Sequence, residues 1–224
     1  MISAGETRLT GTQPGRGRGE AGGKAETILA AAESAFLASG FGAVTMDAIA
    51  REAGVSKATL YAHFTGKEEL FGAFVARLSE RRFGGFSVEA LDPCDIEASL
   101  GAIAHRFLDL VLSPEAIALN RIIVGEVTRF PVLGQVFWAA GPERQRTQIE
   151  AFLRRAVEAG TLSIPDPRLA AEQFAALARG EIHLRSLLRL EDPGDPAALD
   201  GAAASAVAAF LRAFGVKPAP GPDT

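Results

Sequence analysis

One stretch constrains the fold of this chain more than any other: Thr45-Met-Asp-Ala-Ile-Ala-Arg-Glu-Ala-Gly-Val-Ser-Lys-Ala-Thr-Leu-Tyr-Ala-His-Phe-Thr-Gly-Lys-Glu-Glu-Leu70. Met46, Ile49, Ala50 and Ala53 recur at helical spacing and give a first helix one apolar face. Thr45 is its N-cap, a residue whose hydroxyl accepts an otherwise unpaired backbone N–H. Gly54 ends it, because glycine enters a left-handed C-terminal position without a Cβ clash. Val55 plugs the angle that follows. Ser56 then caps a second helix, Lys57 to about His63, with Leu60 and Phe64 turned inward. Lys57, Ala58, Thr59, Tyr61 and His63 are left outward, a set that is short, polar or aromatic, and only weakly charged.

Such a pair suits a helix–turn–helix, in which the first helix braces the second against the major groove. Small Ala58 and Thr59 allow close approach, and Thr59 suits a base edge or a thymine methyl. Lys57, Tyr61 and His63 suit phosphates, which set register without reading sequence. The competing reading is a plain helical hairpin in a core, which leaves the polar outer face without a purpose.

The flanks extend the unit. Ile28, Leu29, Ala32, Ala35, Phe36 and Ser39 predict an amphipathic helix over 24–39, stopped by Gly40, with Phe41 re-entering the core. Thr27 stands near its start, within reach of a phosphate. Thr65-Gly-Lys-Glu68 fits a capping box, with Thr65 as N-cap and Glu68 as its partner. It opens a helix of about 67–82 whose buried stripe is Leu70, Phe71, Phe74, Val75 and Leu78. Lys67 in that first turn opposes the helix dipole, which a nearby phosphate would explain. Residues 1–23 are glycine-rich, with Arg8, Arg16 and Arg18, and are expected to form a flexible arm. Arg16-Gly-Arg18 is either a minor-groove contact or without a role.

Beyond Gly84-Gly85 every segment reads as helix, with starts at Asp95, Ser113-Pro114, Asp166-Pro167 and Asp195-Pro196 and breaks at Phe130-Pro131 and Gly160. The expected spans are about 96–112, 114–129, 132–158 with an interruption at Gly141-Pro142, 167–190 and 196–214. No strand or internal repeat stands out. The last two helices carry apolar residues on more than one side, among them Leu169, Leu177, Leu188, Leu199 and Leu211. They are either buried in a monomer or shared with a second copy as a four-helix interface. The middle helices offer Phe107, Phe137 and Trp138 as walls of an apolar cavity, with Arg121, Glu126, Arg179 and His183 as polar partners. Arg179 and His183 lie four apart on one helix face and suit an acidic ligand. The alternative is that all of these residues only pack the core.

Composition bounds the rest. The chain has 224 residues, 48% of them apolar, and a net charge of −4. Residues 1–83 hold ten Lys/Arg against nine Asp/Glu, so the acidic excess lies outside the proposed DNA-facing unit. No apolar run reaches bilayer length and residues 1–23 lack a secretory leader's apolar core, so a cytoplasmic protein away from membranes is expected. The lone Cys94 has no internal partner. His63, His105 and His183 are scattered, and no HxxxH, CxxC, phosphate loop or nucleophile–base pair occurs. The expectation is no catalytic residue, no metal and no cofactor. A helical enzyme, or a helical adaptor without DNA binding, is the alternative class.

With those residues in view, Lys24–Phe71 closely resembles the DNA-binding domain of TetR-family transcriptional repressors. The resemblance is carried by Thr45-Met-Asp-Ala-Ile-Ala, by Gly54-Val-Ser-Lys-Ala-Thr-Leu-Tyr-Ala-His-Phe and by Lys67-Glu-Glu-Leu70. Arg121-Ile-Ile-Val-Gly-Glu-Val-Thr-Arg-Phe-Pro131, Phe137, Gly141-Pro142 and Ala171-Glu-Gln-Phe174 look like the C-terminal domain of the AefR-like branch. The resemblance implies an all-α homodimer on a palindromic operator, released by a small hydrophobic or aromatic molecule. It implies four regions: an arm (1–23), a DNA-binding domain (24–70), an effector and dimerisation bundle (71–215) and a tail (216–224). By motif position the implied DNA contacts are Thr45, Ser56, Lys57, Ala58, Thr59, Tyr61, His63 and Lys67.

Overall fold

The computed structural model describes residues 17–83, 87–190 and 195–216. The expectations for Arg16, the Gly84-Gly85 break, the tail beyond Val216 and the arm before Gly17 lie outside the described residues. Among them the chain forms ten α-helices and one 3-10 turn, Val88–Ala90. The only extended pairing among the described residues is an isolated antiparallel bridge between Leu162 and Gly215.

Helices α1 (Gly17–Ala43), α2 (Met46–Glu52) and α3 (Lys57–His63) form the N-terminal unit with the first half of α4 (Lys67–Phe83). Helix α1 begins at Gly17, so the expected flexible arm gives way to helix seven residues before Lys24. Its regular part ends at Gly40, whose φ of +76° is open to glycine. Ile28, Ala32, Phe36 and Phe41 are fully buried, whereas Ser39 is exposed on the last turn and does not continue the stripe. The caps of α2 and α3 form as the sequence suggests. Thr45 Oγ1 accepts from Ala48 N at 3.2 Å and Ser56 Oγ from Thr59 N at 3.1 Å. Gly54 takes a φ of +66° between them.

The cap of α4 differs from the expected one. Leu70 N–H bonds the Gly66 carbonyl, so Gly66 holds the N-cap position. Glu69, one residue beyond Glu68, reaches back to Thr65 N and Thr65 Oγ1 at 2.7 and 2.6 Å. The expected capping box of Thr65 with Glu68 does not form: Thr65 only donates, through both its N–H and its hydroxyl, and these hydrogen bonds hold the Glu69 carboxyl below the usual carboxylate range.

The bundle comprises α5 (Ile96–Val111), α6 (Pro114–Glu126), α7 (Val132–Ala140), α8 (Pro142–Glu158), α9 (Pro167–Leu187) and α10 (Pro196–Phe214). Asp95, Ser113, Asp166 and Asp195 each cap the following helix through a side-chain oxygen. Helix α10 packs on α9 and α5, and α8 on α9. At nineteen residues α10 is, by length and composition alone, apolar enough to cross a bilayer, which corrects the expectation that no such run exists. The cause is its alanine content, which raises hydropathy without large side chains. Its large residues Val207 and Phe210 are buried in the bundle.

Phe36, Phe41, Phe71 and Phe74 pack ring to ring at the centre of the N-terminal unit. That core does not stop at the bundle: Leu119, Ile123 and Leu133 belong to the same buried cluster. Helix α4 contributes Leu70, Phe71 and Phe74 at one end and Val75 and Leu78 further along, and packs on α7.

Candidate nucleic-acid interface and ligand cavity

Helix α3 lies on the surface by its outer face. Leu60 is fully buried and Phe64 nearly so, which fixes the helix on α1 and α2. Lys57, Ala58 and Tyr61 are exposed, Tyr61 at 50%, while Thr59 and His63 are partly covered. Ser56 and Thr59 share a hydroxyl–hydroxyl hydrogen bond of 2.9 Å, so both hydroxyls are oriented before any partner arrives. Thr45 caps α2 through its oxygen, which leaves the hydroxyl hydrogen available as a donor. Lys57 Nζ lies 2.5 Å from Asp47 Oδ2, with both side chains more than half exposed. An exposed pair of this kind contributes only about 0–1 kcal/mol, so a phosphate competes readily for the ammonium. Thr27 bonds back to the Gly23 carbonyl.

Lys67 has partners within the protein. Its ammonium donates to the carbonyls of Phe41 and Val44 at 2.7 and 2.8 Å and sits 4.2 Å from the centre of the Phe41 ring. Burial lowers its pKa, and the carboxylates of Glu68 and Glu126 oppose that shift. This lysine ties down the turn between α1 and α2.

Glu126 closes the same turn from the bundle side. Its carboxylate accepts from Phe41 N at 2.7 Å and Gly42 N at 2.6 Å. The positive φ of Gly40 turns these successive N–H groups to one side, a concavity suited to an anion. A Cβ at Gly42 would meet Glu126 Oε2 at 2.8 Å, so a side chain there would push the carboxylate off its present seat. The contact joins the last residue of α6 to the DNA-facing unit. Sequence reasoning named Glu126 only as a cavity partner, because nothing local marks a contact across 85 residues.

A cavity of about 480 Å³ opens between α4, α5, α6, α7, α8 and α9. Phe107, Phe137, Trp138, Arg179 and His183 line it, which brings together five of the seven expected residues and leaves out Glu126 and Arg121. The Arg121 guanidinium donates to the carbonyls of Ser186 and Leu187 at 2.8 and 3.0 Å and so satisfies the C-terminal end of α9. Arg146 and Glu172 line the cavity without having been expected there. They form an ion pair of 2.6 Å, and Arg146 also binds Glu143 within α8. Only the folded pairing of α8 with α9 reveals them. Val75 and Leu78 bring α4 into the wall, and Ala116, Leu119 and Asn120 bring in α6. His183 has its pKa lowered, first by burial and then by Arg179 beside it.

The apolar residues of the last two helices divide. Phe174, Val207 and Phe210 are buried, whereas Leu169, Leu177 and Leu184 stand exposed along α9 and Leu188 at its C-cap is exposed at 60%. Exposed Gly201, Ala204 and Ala208 run along α10.

Comparison with known proteins agrees with this arrangement. Residues 28–74 match the family model described as bacterial regulatory proteins, tetR family. Residues 98–216 match that of the AefR-like transcriptional repressor C-terminal domain. The HTH-type transcriptional regulator SrpR of Pseudomonas putida is 31% identical over 62% of this chain, and the match spans 63% of that regulator's length. The structure of the flavonoid-responsive regulator FrrA is 36% identical, with a TM-score of 0.73 over 88% of this chain and all of that one. A TetR transcriptional regulator from Agrobacterium tumefaciens is 25% identical, with a TM-score of 0.72 over 87% of this chain and 95% of its own.

Proposed function

The chain belongs to the TetR family of bacterial transcriptional regulators, and from that premise we propose that it is a homodimeric repressor released from a palindromic operator by a small aromatic ligand. The observation that carries this reading is α3, held from beneath by Leu60 and Phe64 and outward with Lys57, Ala58, Thr59 and Tyr61. Ala58 and Thr59 are the base readers. Thr45, Ser56, Lys57, Tyr61 and His63 hold phosphates and fix the register. Its place of work is the cytoplasm, where the operator is, and catalysis has no part in it.

The partner of the dimer is the same face of α9 and α10 on a second copy. Three exposed leucines on α9 and Leu188 at its C-cap would be covered, and the small residues of α10 allow close helix approach. Twofold pairing sets the two α3 helices about one DNA turn apart, roughly 34–36 Å. The double variant Leu184→Glu/Leu188→Glu is expected to sediment as a monomer and to lose operator affinity. A dimer of unchanged mass would remove this surface as the interface.

The effector enters the cavity between α4 and α9. FrrA is flavonoid-responsive by name, and the Phe107, Phe137 and Trp138 walls here suit a flat apolar molecule of similar kind. The wall helices α4 and α6 both reach the DNA-facing unit, α4 through its shared core and α6 through Glu126. A ligand that favours one setting of these helices shifts the spacing of the two reading heads, whereas one that binds both settings equally shifts nothing.

The test of the whole reading is a gel-shift series with Thr59→Ala/Tyr61→Ala. Loss of Thr59 is expected to cost roughly 1–3 kcal/mol at one base pair and to relax selection there. Fold and dimer mass are expected to be unchanged. Wild-type operator binding by the double variant would refute the assignment of α3.

A further inference from the structure

The cavity carries a charge imbalance that the proposed function does not use. Its wall holds two arginines and one glutamate. Glu172 is already paired with Arg146, which Glu143 neutralises further. Arg179 has no ion-pair or hydrogen-bond partner among the described residues, although it lines the same space one turn beyond Ala175. His183 follows across a break in α9, where Gly180 is non-helical at φ +44° and ψ −147°, yet it lines the same cavity and has no hydrogen-bond partner among the described residues. Phe107, Val111 and Ala175 make the neighbouring wall apolar. Arg179 is exposed at the rim of this apolar space, so its unpaired charge is open to an entering anion.

We propose that Arg179 and His183 form an anion subsite and that the effector is an aromatic carboxylate. Its ring system lies against Phe107, Phe137 and Trp138 and its carboxylate on the Arg179 guanidinium. The fork of two parallel N–H donors matches the two oxygens of a carboxylate. Burial and then Arg179 lower the His183 pKa, which favours its neutral form, and its ring adds a hydrogen-bonding group beside the guanidinium. This inference rests on the cavity being the effector site, and its failure can be told apart from failure of that reading.

The test titrates the full-length protein with biphenyl-4-carboxylate and with biphenyl-4-carboxamide, which share a shape and differ in charge. Calorimetry measures both affinities, and the single tryptophan, Trp138 in the cavity wall, reports occupancy without DNA. The carboxylate is expected to bind about tenfold or more tightly than the amide. Arg179→Gln is expected to bring the two affinities together. Arg179→Lys keeps the charge but not the fork, and is expected to retain part of the preference. Equal binding of both probes to the wild type, with quenching of Trp138, would overturn the anion subsite and leave the cavity as an effector site for neutral ligands. A preference for the carboxylate that survives Arg179→Gln would place the subsite elsewhere and overturn the assignment. Binding of neither probe would remove the effector cavity and the subsite together.

Discussion

Lys67→Ala is expected to lower the stability of the protein by roughly 1–3 kcal/mol while leaving the salt dependence of DNA binding unchanged. The two carbonyls it binds, on Phe41 and Val44, belong to the turn that sets α2 against α1. Hydrogen bonds from a charged donor are worth more than neutral ones, but burial of the ammonium opposes them, as its lowered pKa records. The estimate is therefore set below the sum of two charged hydrogen bonds. DNA affinity falls in this variant because α2 no longer braces α3. Lys57→Ala is the contrast: its ion pair with Asp47 is exposed, so stability is expected to hold. The slope of log affinity against log salt is expected to fall by about one as a phosphate contact is lost. Thermal unfolding and gel shifts across a salt series separate the two. A reduced slope in Lys67→Ala at unchanged melting temperature would restore the phosphate role.

Glu126→Gln is expected to keep operator binding yet blunt release by ligand. The amide retains one acceptor oxygen for the Phe41 and Gly42 N–H groups and loses the charge. Coupling between sites in regulators of this kind typically amounts to 1–3 kcal/mol, about 5–150-fold in affinity. That factor is expected to shrink towards one, measured as operator affinity with and without a ligand that releases the wild type. Gly40→Ala provides an independent route, because its Cβ would run into Glu126 Oε1 and its φ is positive. Both variants are expected to bind the ligand itself normally. Full release in both would mean that α4 alone carries the signal.

Local chemistry is what the sequence disclosed well. Thr45, Ser56, Asp95, Ser113, Asp166 and Asp195 all cap where they were expected, because each acts within three residues of itself. The same holds for the turn at Gly54 and for the break between α7 and α8. Phe137 and Trp138 were legible as a cavity wall because adjacent aromatics among bundle helices have few other uses. Long-range partners were not legible. Arg121 satisfies carbonyls some 65 residues away, Lys67 those of a turn 23 and 26 residues back, and Arg146 finds Glu172 only when α8 meets α9. A charged side chain shows its type in the sequence, but its counterpart is chosen by the fold.

The buried cluster that runs from Phe36 and Phe71 into Leu119, Ile123 and Leu133 has a consequence for engineering. Grafting the first 83 residues onto the bundle of a distant homologue would pair Phe41 and Phe71 with side chains shaped for another surface. A working chimera has to carry the matching faces of α6 and α7 along with the reading helices, so the exchangeable unit is discontinuous in the chain.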